Sequence, residues 1–174
     1  DVYKRQDQLL RHSDQAMYQA KQGGKNCYHI FDADQDRDAR SRHASIQRIS
    51  EALTNNEFVL YYQPKVNMNS GTMIGVEALI RWQHPESGLL PPASFLPDIE
   101  DHALNVELGE WVIDTALTQL GIWQKQGLET SVSVNIAAIH LLQKDFVERL
   151  GILLEAHPGI HPQRLELEIL ETSA

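Results

Sequence analysis

Apolar segments rich in strand-forming residues alternate with long helical patterns over most of this chain. Residues 58–66 and 73–82 are two such segments, separated by a short polar turn. A parallel crossover needs about a dozen residues, so this pair is predicted to form an antiparallel hairpin. Further along, helices are predicted at 105–126 and 140–156, and strands at 131–136 and 165–170. This alternation favours right-handed βαβ units and a parallel sheet, so the fold class is α/β.

Side chains alternate in polarity along the second strand of the hairpin. Because successive side chains of a strand point to opposite faces, one face is apolar, with Ile74, Val76, Ala78, Ile80 and Trp82. The other face carries Gly75, Glu77, Leu79 and Arg81. A carboxylate and a cation therefore share one surface, which suggests a metal and a phosphate. In the helix at 105–126, Trp111 and Trp123 continue an apolar stripe that indicates core packing.

The N-terminal part of the chain is more polar. A helix is predicted at 13–22, because Ser13 can cap its first turn and Gly23-Gly24 can end it, and a short strand follows at 27–31. Between residues 33 and 56, one narrow apolar stripe indicates a second helix. It comprises Ile46, Ile49 and Leu53. The stripe either packs on its own domain or forms a dimer seam.

Charge is divided unevenly between the two parts of the chain, whose formal net charge is −9. Residues 1–49 hold nine Lys or Arg against seven Asp or Glu, whereas residues 50–174 hold six against seventeen. An acidic surface disfavours DNA or RNA, which bind through basic side chains. The single Cys27 excludes an internal disulfide and favours a cytoplasmic protein. No apolar run approaches the roughly 20 residues that span a bilayer.

Several motifs from about residue 55 onward resemble the EAL domain, the bacterial cyclic-di-GMP phosphodiesterase module. They are YYQPKV, GVEALIRW, HPESGLLPP, LGEWVI, SVNIA, DFV and LELEILE, in the order and approximate spacing of that family. The resemblance implies a modified (β/α)8 barrel of TIM type with one antiparallel strand. Residues 57–174 would be its N-terminal half, so the barrel is incomplete here. An open sheet edge would make the isolated chain marginally stable or prone to aggregation.

The segment LLRHSDQAMYQAKQGGKNCYHIFD resembles the last helix and strand of the GGDEF domain, the diguanylate cyclase fold. The resemblance implies that residues 1–32 end such a domain and that residues 33–56 form an interdomain linker helix. It also allows a homodimer through the EAL domain or the linker, and an upstream sensor or membrane segment. Residues 1–6 match neither family.

Three oxygen-bearing side chains are predicted to point into the barrel near the C-terminal ends of its strands, where barrel enzymes have their active sites. They are Glu77, Asn135 and Glu168. Burying these carboxylates together with Glu166 would be costly without a cation. Mg2+ or Mn2+ suits such hard oxygen ligands. The resemblance implies that these three residues bind the metal, that Glu77 is catalytic, and that Glu171 steadies a catalytic loop.

The resemblance also implies a binding site for cyclic di-GMP. It comprises Gln63, Leu79, Arg81 and Pro92, of which Arg81 offers a planar fork for phosphate. The reaction would be metal-assisted attack of water on one phosphodiester, giving linear pGpG. Residues of the second half of the site lie outside this chain, so the chain alone is expected to be inactive. The alternative is an EAL domain that has lost catalysis and serves as a cyclic-di-GMP receptor or a docking module.

Overall fold

The computed structural model describes Met17 and residues 33–169. The chain divides into two compact units, residues 1–44 and 45–174, and the described strands all belong to the second. The helices are α1 (Ala33–Thr54), α2 (Leu96–Ile99), α3 (Leu104–Lys125), α4 (Ala138–Leu141) and α5 (Phe146–Ala156), with 310 turns at Pro92–Ser94 and Pro162–Arg164. The strands are β1 (Phe58–Val66), β2 (Met73–His84), β3 (Gly88–Leu90), β4 (Val132–Ile136) and β5 (Leu165–Ile169).

The sheet has the order β1-β2-β4-β5. The strands β1 and β2 pair antiparallel as a hairpin, and β2, β4 and β5 pair parallel. Both features agree with the pairing predicted from the sequence. The sequence did not predict β3, which pairs antiparallel with the end of β2 and so extends the sheet beside Trp82.

One face of this sheet is the core. Val76, Ala78 and Ile80 of β2 are buried, as the alternation predicted, and β4 adds three more buried apolar residues. The core-facing positions of α3 include Leu108, Val112, Ala116, Leu117 and Leu120, and Trp111 and Trp123 pack at its margin. The prediction for Ile74 was wrong, since its side chain is 59% exposed. It lies before Val76, where the pairing of β2 with β4 begins.

The prediction of one helix over residues 140–156 was wrong in its extent. The structure has two helices, α4 and α5, separated by a turn at residues 142–145. In this turn the backbone N–H of Gln143 donates to the carbonyl of His140, and that of Phe146 to the carbonyl of Gln143. Leu142 is 80% exposed, so its apolar side chain extended the sequence pattern without belonging to the core.

The apolar stripe of α1 packs on the domain that follows it. Ile49 and Ala52 are buried in the core, and Ile46 and Leu53 pack against it. The structure therefore favours the first of the two interpretations of this stripe. The helix predicted at 13–22 and the strand at 27–31 lie outside the described residues, except for Met17. No helix in the described part of the chain is both long and apolar enough to cross a membrane.

Glu57 joins α1 to the end of β2. Its carboxylate accepts hydrogen bonds from Trp82 Nε1 at 2.9 Å and from Arg48 Nη2 at 2.6 Å. Its backbone carbonyl accepts the N–H of Gln83 at 2.8 Å, and the Arg48 guanidinium lies 5.2 Å from the centre of the Trp82 ring. The bonds from Trp82 and Arg48 lower the pKa of Glu57. This cluster fixes the strand end that follows Arg81.

A second close contact joins α3 to α4. The His140 ring is buried against Gly109 and packs edge-on against Phe146. A Cβ at Gly109 would lie 2.4 Å from His140 Nδ1, so only glycine fits there without movement of the ring. Burial lowers the pKa of His140, so the ring is neutral at pH 7. The packing of the neutral His140 ring against Gly109 and Phe146 therefore fixes α4 against α3, just after the end of β4.

We predict that Glu57→Gln lowers the free energy of unfolding by about 1–2 kcal/mol at pH 7, because charged hydrogen bonds to Trp82 and Arg48 are weakened. The folded-state pKa of Glu57 is depressed, so its stabilisation is complete above the unfolded pKa and is lost as pH falls through the folded pKa. Urea unfolding from pH 7 to pH 4 should show the difference shrinking. The control is Glu51→Gln on exposed α1, which should change stability little; equal losses for both variants would contradict the role of Glu57.

Two glycines of α3 provide a matched test of the packing against His140. Gly109→Ala should destabilise the protein by about 1–3 kcal/mol, the usual cost of overpacking a core. Gly121→Ala should instead stabilise it by up to about 1 kcal/mol, because its Cβ would meet only Ile160 at 3.9 Å and alanine favours helix. Thermal unfolding of both variants measures the contrast. Equal effects of the same sign would disprove this account of Gly109.

Candidate metal and substrate site

The polar face of the sheet gathers the residues that the sequence predicted to be functional. Strand register places Gln63 opposite Glu77, and Asn135 beside Glu168. Glu77, Asn135 and Glu168 are partly buried, and each lies on a different one of the three parallel strands. By strand alternation they share the face opposite to the buried Val76, Ala78, Val132 and Val134.

Glu77 and Asn135 are in direct contact. Asn135 Nδ2 donates to Glu77 Oε1 at 2.9 Å, across the neighbouring strands β2 and β4. A rotation of the Asn135 amide by 180° would turn its oxygen toward the same point, giving an amide and a carboxylate oxygen side by side. With Glu168 on the next strand, the donor set is three hard oxygen groups, which suits Mg2+ or Mn2+. The residues present therefore fit such an ion.

A cavity of about 310 Å³ opens beside this pair. Four predicted residues line it: Glu77, Leu79, Pro92 and Asn135. The remaining lining is mostly apolar and includes Ile80, Leu96, Leu108 and Val112. Asn105 at the start of α3 adds a polar group that the sequence did not single out. An apolar pocket with a few polar groups at its rim is typical of a ligand-binding site.

Gln63, Arg81 and Glu168 are not part of the cavity lining. The guanidinium of Arg81 lies 5.8 Å from the centre of the Tyr61 ring and donates to the carbonyl of Ile80 at 2.8 Å. Tyr61 is half exposed, so this guanidinium lies over an accessible aromatic ring on the polar face. Arg81 and Gln63 therefore lie on the polar face of β2 and β1, outside the apolar cavity.

Sequence reasoning missed an ion-pair network on the same face. Lys65 Nζ lies 2.8 Å from Glu166 Oε2, 3.3 Å from Glu168 Oε1 and 2.5 Å from Ser133 Oγ. Glu166 also accepts hydrogen bonds from Ser131 Oγ at 3.0 Å and Ser133 Oγ at 2.8 Å. The bond from Lys65, followed by those from the two serines, lowers the pKa of Glu166 to about 2. The carboxylates raise the pKa of Lys65 in turn.

This network changes one expectation. A cation partner was expected for the carboxylates, including Glu166, and a metal was its expected identity. For Glu166 the partner is Lys65. The sequence held a signal for this, because Lys65 lies two residues after Gln63 and so shares its face of β1. The sequence could not predict that the Lys65 side chain on β1 contacts glutamates on β5, which lies three strand positions away in the sheet.

Two further observations bear on the predicted site. Glu171 lies outside the described residues, so its role stays a prediction. Among the described residues, no group of three or more His, Cys, Asp or Glu side chains is arranged to hold a metal ion. The predicted metal ligands are Glu77, Asn135 and Glu168. Because one of them is an amide, they are not a group of three His, Cys, Asp or Glu side chains.

Comparison with known proteins identifies the family. The model of the EAL domain matches residues 46–174. The chain belongs to the EAL domain family. The match begins within α1, one residue after the start of the second compact unit. The α/β fold with an incomplete barrel and an antiparallel first strand is therefore confirmed.

Similar proteins include the bifunctional diguanylate cyclase/cyclic di-GMP phosphodiesterase MucR of Pseudomonas aeruginosa. It is 38% identical over 168 residues, which cover 96% of this chain and 24% of MucR. The cyclic di-GMP phosphodiesterase PdeR of Escherichia coli is 35% identical over 147 residues, covering 84% of this chain and 22% of PdeR. The chain thus spans about a quarter of the length of these curated relatives.

Solved structures of EAL domains are similar to this one. The P. aeruginosa MucR phosphodiesterase in complex with c-di-GMP superimposes with a TM-score of 0.69 at 39% identity, covering 74% of this chain and 52% of that one. The Xanthomonas citri FimX EAL domain in complex with c-diGMP gives a TM-score of 0.67 at 25% identity, covering 79% and 53%.

Proposed function

We propose that this chain is part of a cyclic-di-GMP phosphodiesterase that cleaves its substrate to linear pGpG with the help of a divalent metal. The observation that carries the proposal is the contact between Glu77 and Asn135 at 2.9 Å, at the rim of the 310 Å³ cavity. An acidic and an amide oxygen group are thereby placed where a ligand can reach both. The names of MucR and PdeR, and the ligand in the MucR structure, support the same reaction.

Glu77, Asn135 and Glu168 would hold Mg2+ or Mn2+. When bound, the ion supplies activation of a water molecule and neutralisation of charge on the phosphodiester. The protein's part is to keep three oxygen groups on adjacent parallel strands. The 2.9 Å bond sets the spacing between the first two, and strand register sets the position of the third.

The substrate would be bound by groups around this rim. Leu79 and Pro92 offer apolar surface for a guanine base, because they line the cavity beside Glu77. Arg81 offers its guanidinium to a phosphate oxygen, and Gln63, opposite Glu77 on β1, can hydrogen-bond phosphate or guanine. Glu171 would steady a catalytic loop.

We further propose the domain organisation expected from the sequence: the end of a GGDEF domain at 1–32, a linker helix at 33–56, and the N-terminal half of an EAL domain at 57–174. The similarity to the bifunctional MucR supports this order, since it covers 96% of the chain and so reaches upstream of residue 46. The remaining active-site groups would lie in the second half of the EAL domain. The proposed activity would therefore be that of the full-length protein.

The first test is Mg2+-dependent conversion of cyclic di-GMP to pGpG by the full-length protein, followed by chromatography. Glu77→Gln should lower kcat at least about a hundredfold, because it removes a negative metal ligand while keeping the side-chain volume. The matched control is Glu155→Gln on the exposed face of α5, which should retain wild-type turnover.

The outcomes separate the proposed enzyme from the alternative. Turnover in the wild type that Glu77→Gln abolishes would support the phosphodiesterase and its metal site. Saturable binding of cyclic di-GMP by the wild type without turnover would make the domain a receptor. Unchanged turnover in Glu77→Gln would show that Glu77 is not a required metal ligand.

Arg81→Ala tests the phosphate-binding role separately from metal binding. We expect the dissociation constant for cyclic di-GMP, measured by calorimetry with the full-length protein, to rise by an amount equal to about 1.5–3 kcal/mol, the usual value of a charged hydrogen bond. Arg164→Ala is the control, because Arg164 pairs with Glu129 and the carbonyl of Thr130, at the opposite ends of the strands. A defect confined to metal affinity would exclude the phosphate role of Arg81.

A further inference from the structure

We propose that Lys65 is the internal counter-cation of the metal site: it pairs with Glu166 and Glu168 when the site lacks a metal and competes with the metal for Glu168. The inference rests on the proposed metal-binding role of Glu168. It makes Lys65 a positioning residue that sets metal affinity from within the barrel, without touching the substrate.

The first observation is how far Lys65 reaches. The Lys65 side chain starts on β1 and contacts Ser133 on β4 and both glutamates on β5, so it crosses β2 entirely. Its neighbour across the hairpin is Gly75, which has no side chain to block the path. A Cβ at Gly75 would lie 3.7 Å from Lys65 Cε and 2.7 Å from Ser131 Oγ. The absence of a side chain at Gly75 therefore leaves room for the Ser131 hydroxyl, which bonds Glu166, beside the path of Lys65.

The two glutamates differ in how completely they are bonded. Both carboxylate oxygens of Glu166 have partners: Oε1 accepts from Ser131, and Oε2 accepts from Ser133 and Lys65. Within the described part of the chain, Glu168 accepts one such bond, the longer 3.3 Å bond from Lys65 to Oε1. Glu166 is therefore the permanent partner of the lysine. Glu168 is the carboxylate that can be released to a metal.

Charge gives the direction of the effect. A divalent cation bound by Glu168 would lie close to the positive Nζ of Lys65, and two like charges at such a distance repel. Lys65 would have to give up its bond to Glu168 while it keeps those to Glu166 and Ser133. The lysine therefore lowers metal affinity, and in exchange it compensates the carboxylates when the metal is absent.

The test measures Mn2+ affinity of the full-length protein without substrate, by electron paramagnetic resonance of free Mn2+. Lys65→Met should tighten binding about five- to tenfold, the order expected when a nearby like charge is removed from a partly exposed site. Lys65→Arg keeps the charge and should stay within about twofold of wild type, as should Lys144→Met, the same change in the turn at residues 142–145. The advantage of Lys65→Met should shrink as KCl is raised, because salt screens the repulsion.

A second variant tests the coupling. Glu166→Gln takes away the main partner of Lys65, which then binds Glu168 more fully, so Mn2+ affinity should fall about threefold. In the Lys65→Met background the same change should have less than about a twofold effect, since there is no lysine to redirect. Equal effects of Glu166→Gln in both backgrounds would indicate simple charge loss and would overturn the competition.

The outcomes distinguish this inference from the proposed function. Mn2+ binding that Glu77→Gln removes but Lys65→Met leaves unchanged or weakens would overturn the role of Lys65 alone. Absence of Mn2+ binding in the wild type would overturn both the metal site and the inference. Tighter binding in Lys65→Met, with the arginine variant near wild type, supports the competition.

Discussion

The structure depends on one constraint: a strand that is buried on one face must show every second side chain to the other. Helix α3 and the end of α1 cover one face of the sheet, which fixes Val76, Ala78 and Ile80 in the core. The intervening residues must therefore lie on the opposite face, even where this brings like charges together. Glu77 and Leu79 are neighbours in the site because Ala78 is a core residue.

The strand β2 transmits this constraint to the rest of the domain. It pairs with β1, β3 and β4, and its end is held by the hydrogen bond from Trp82 to Glu57. A slip of one residue in its register would turn Glu77 into the core and Ala78 out of it. The apolar contacts of Trp82 with Phe58 and Phe95 oppose such a slip. The geometry of the site is thus a consequence of core packing at a distance from it.

Much of this was accessible from sequence because it follows from short-range patterns. The hairpin followed from the length of its turn, and the faces of β2 and β4 followed from alternation. Sequence patterns failed where neighbouring elements determine whether a side chain is buried. Leu142 fits the helical pattern but lies in a turn. Ile74 fits the apolar alternation of β2 but precedes the pairing with β4. Lys65 could be assigned to a face, but its partners on β5 depend on the order and curvature of the sheet, which no local pattern contains.

The charges on the polar face are unevenly distributed. Along the described strands it carries the carboxylates of Glu77, Glu166 and Glu168 against the cations Lys65 and Arg81. Lys65 is committed to β5, and Arg81 lies over Tyr61 toward the other end of the hairpin. Glu77 is left with a neutral amide donor from Asn135. Glu77 and Glu166 lie in the same row of the sheet, since both are level with Ser133 of β4. The carboxylates of that row are thus compensated unequally: Glu166 has the lysine, whereas Glu77 has only a neutral amide.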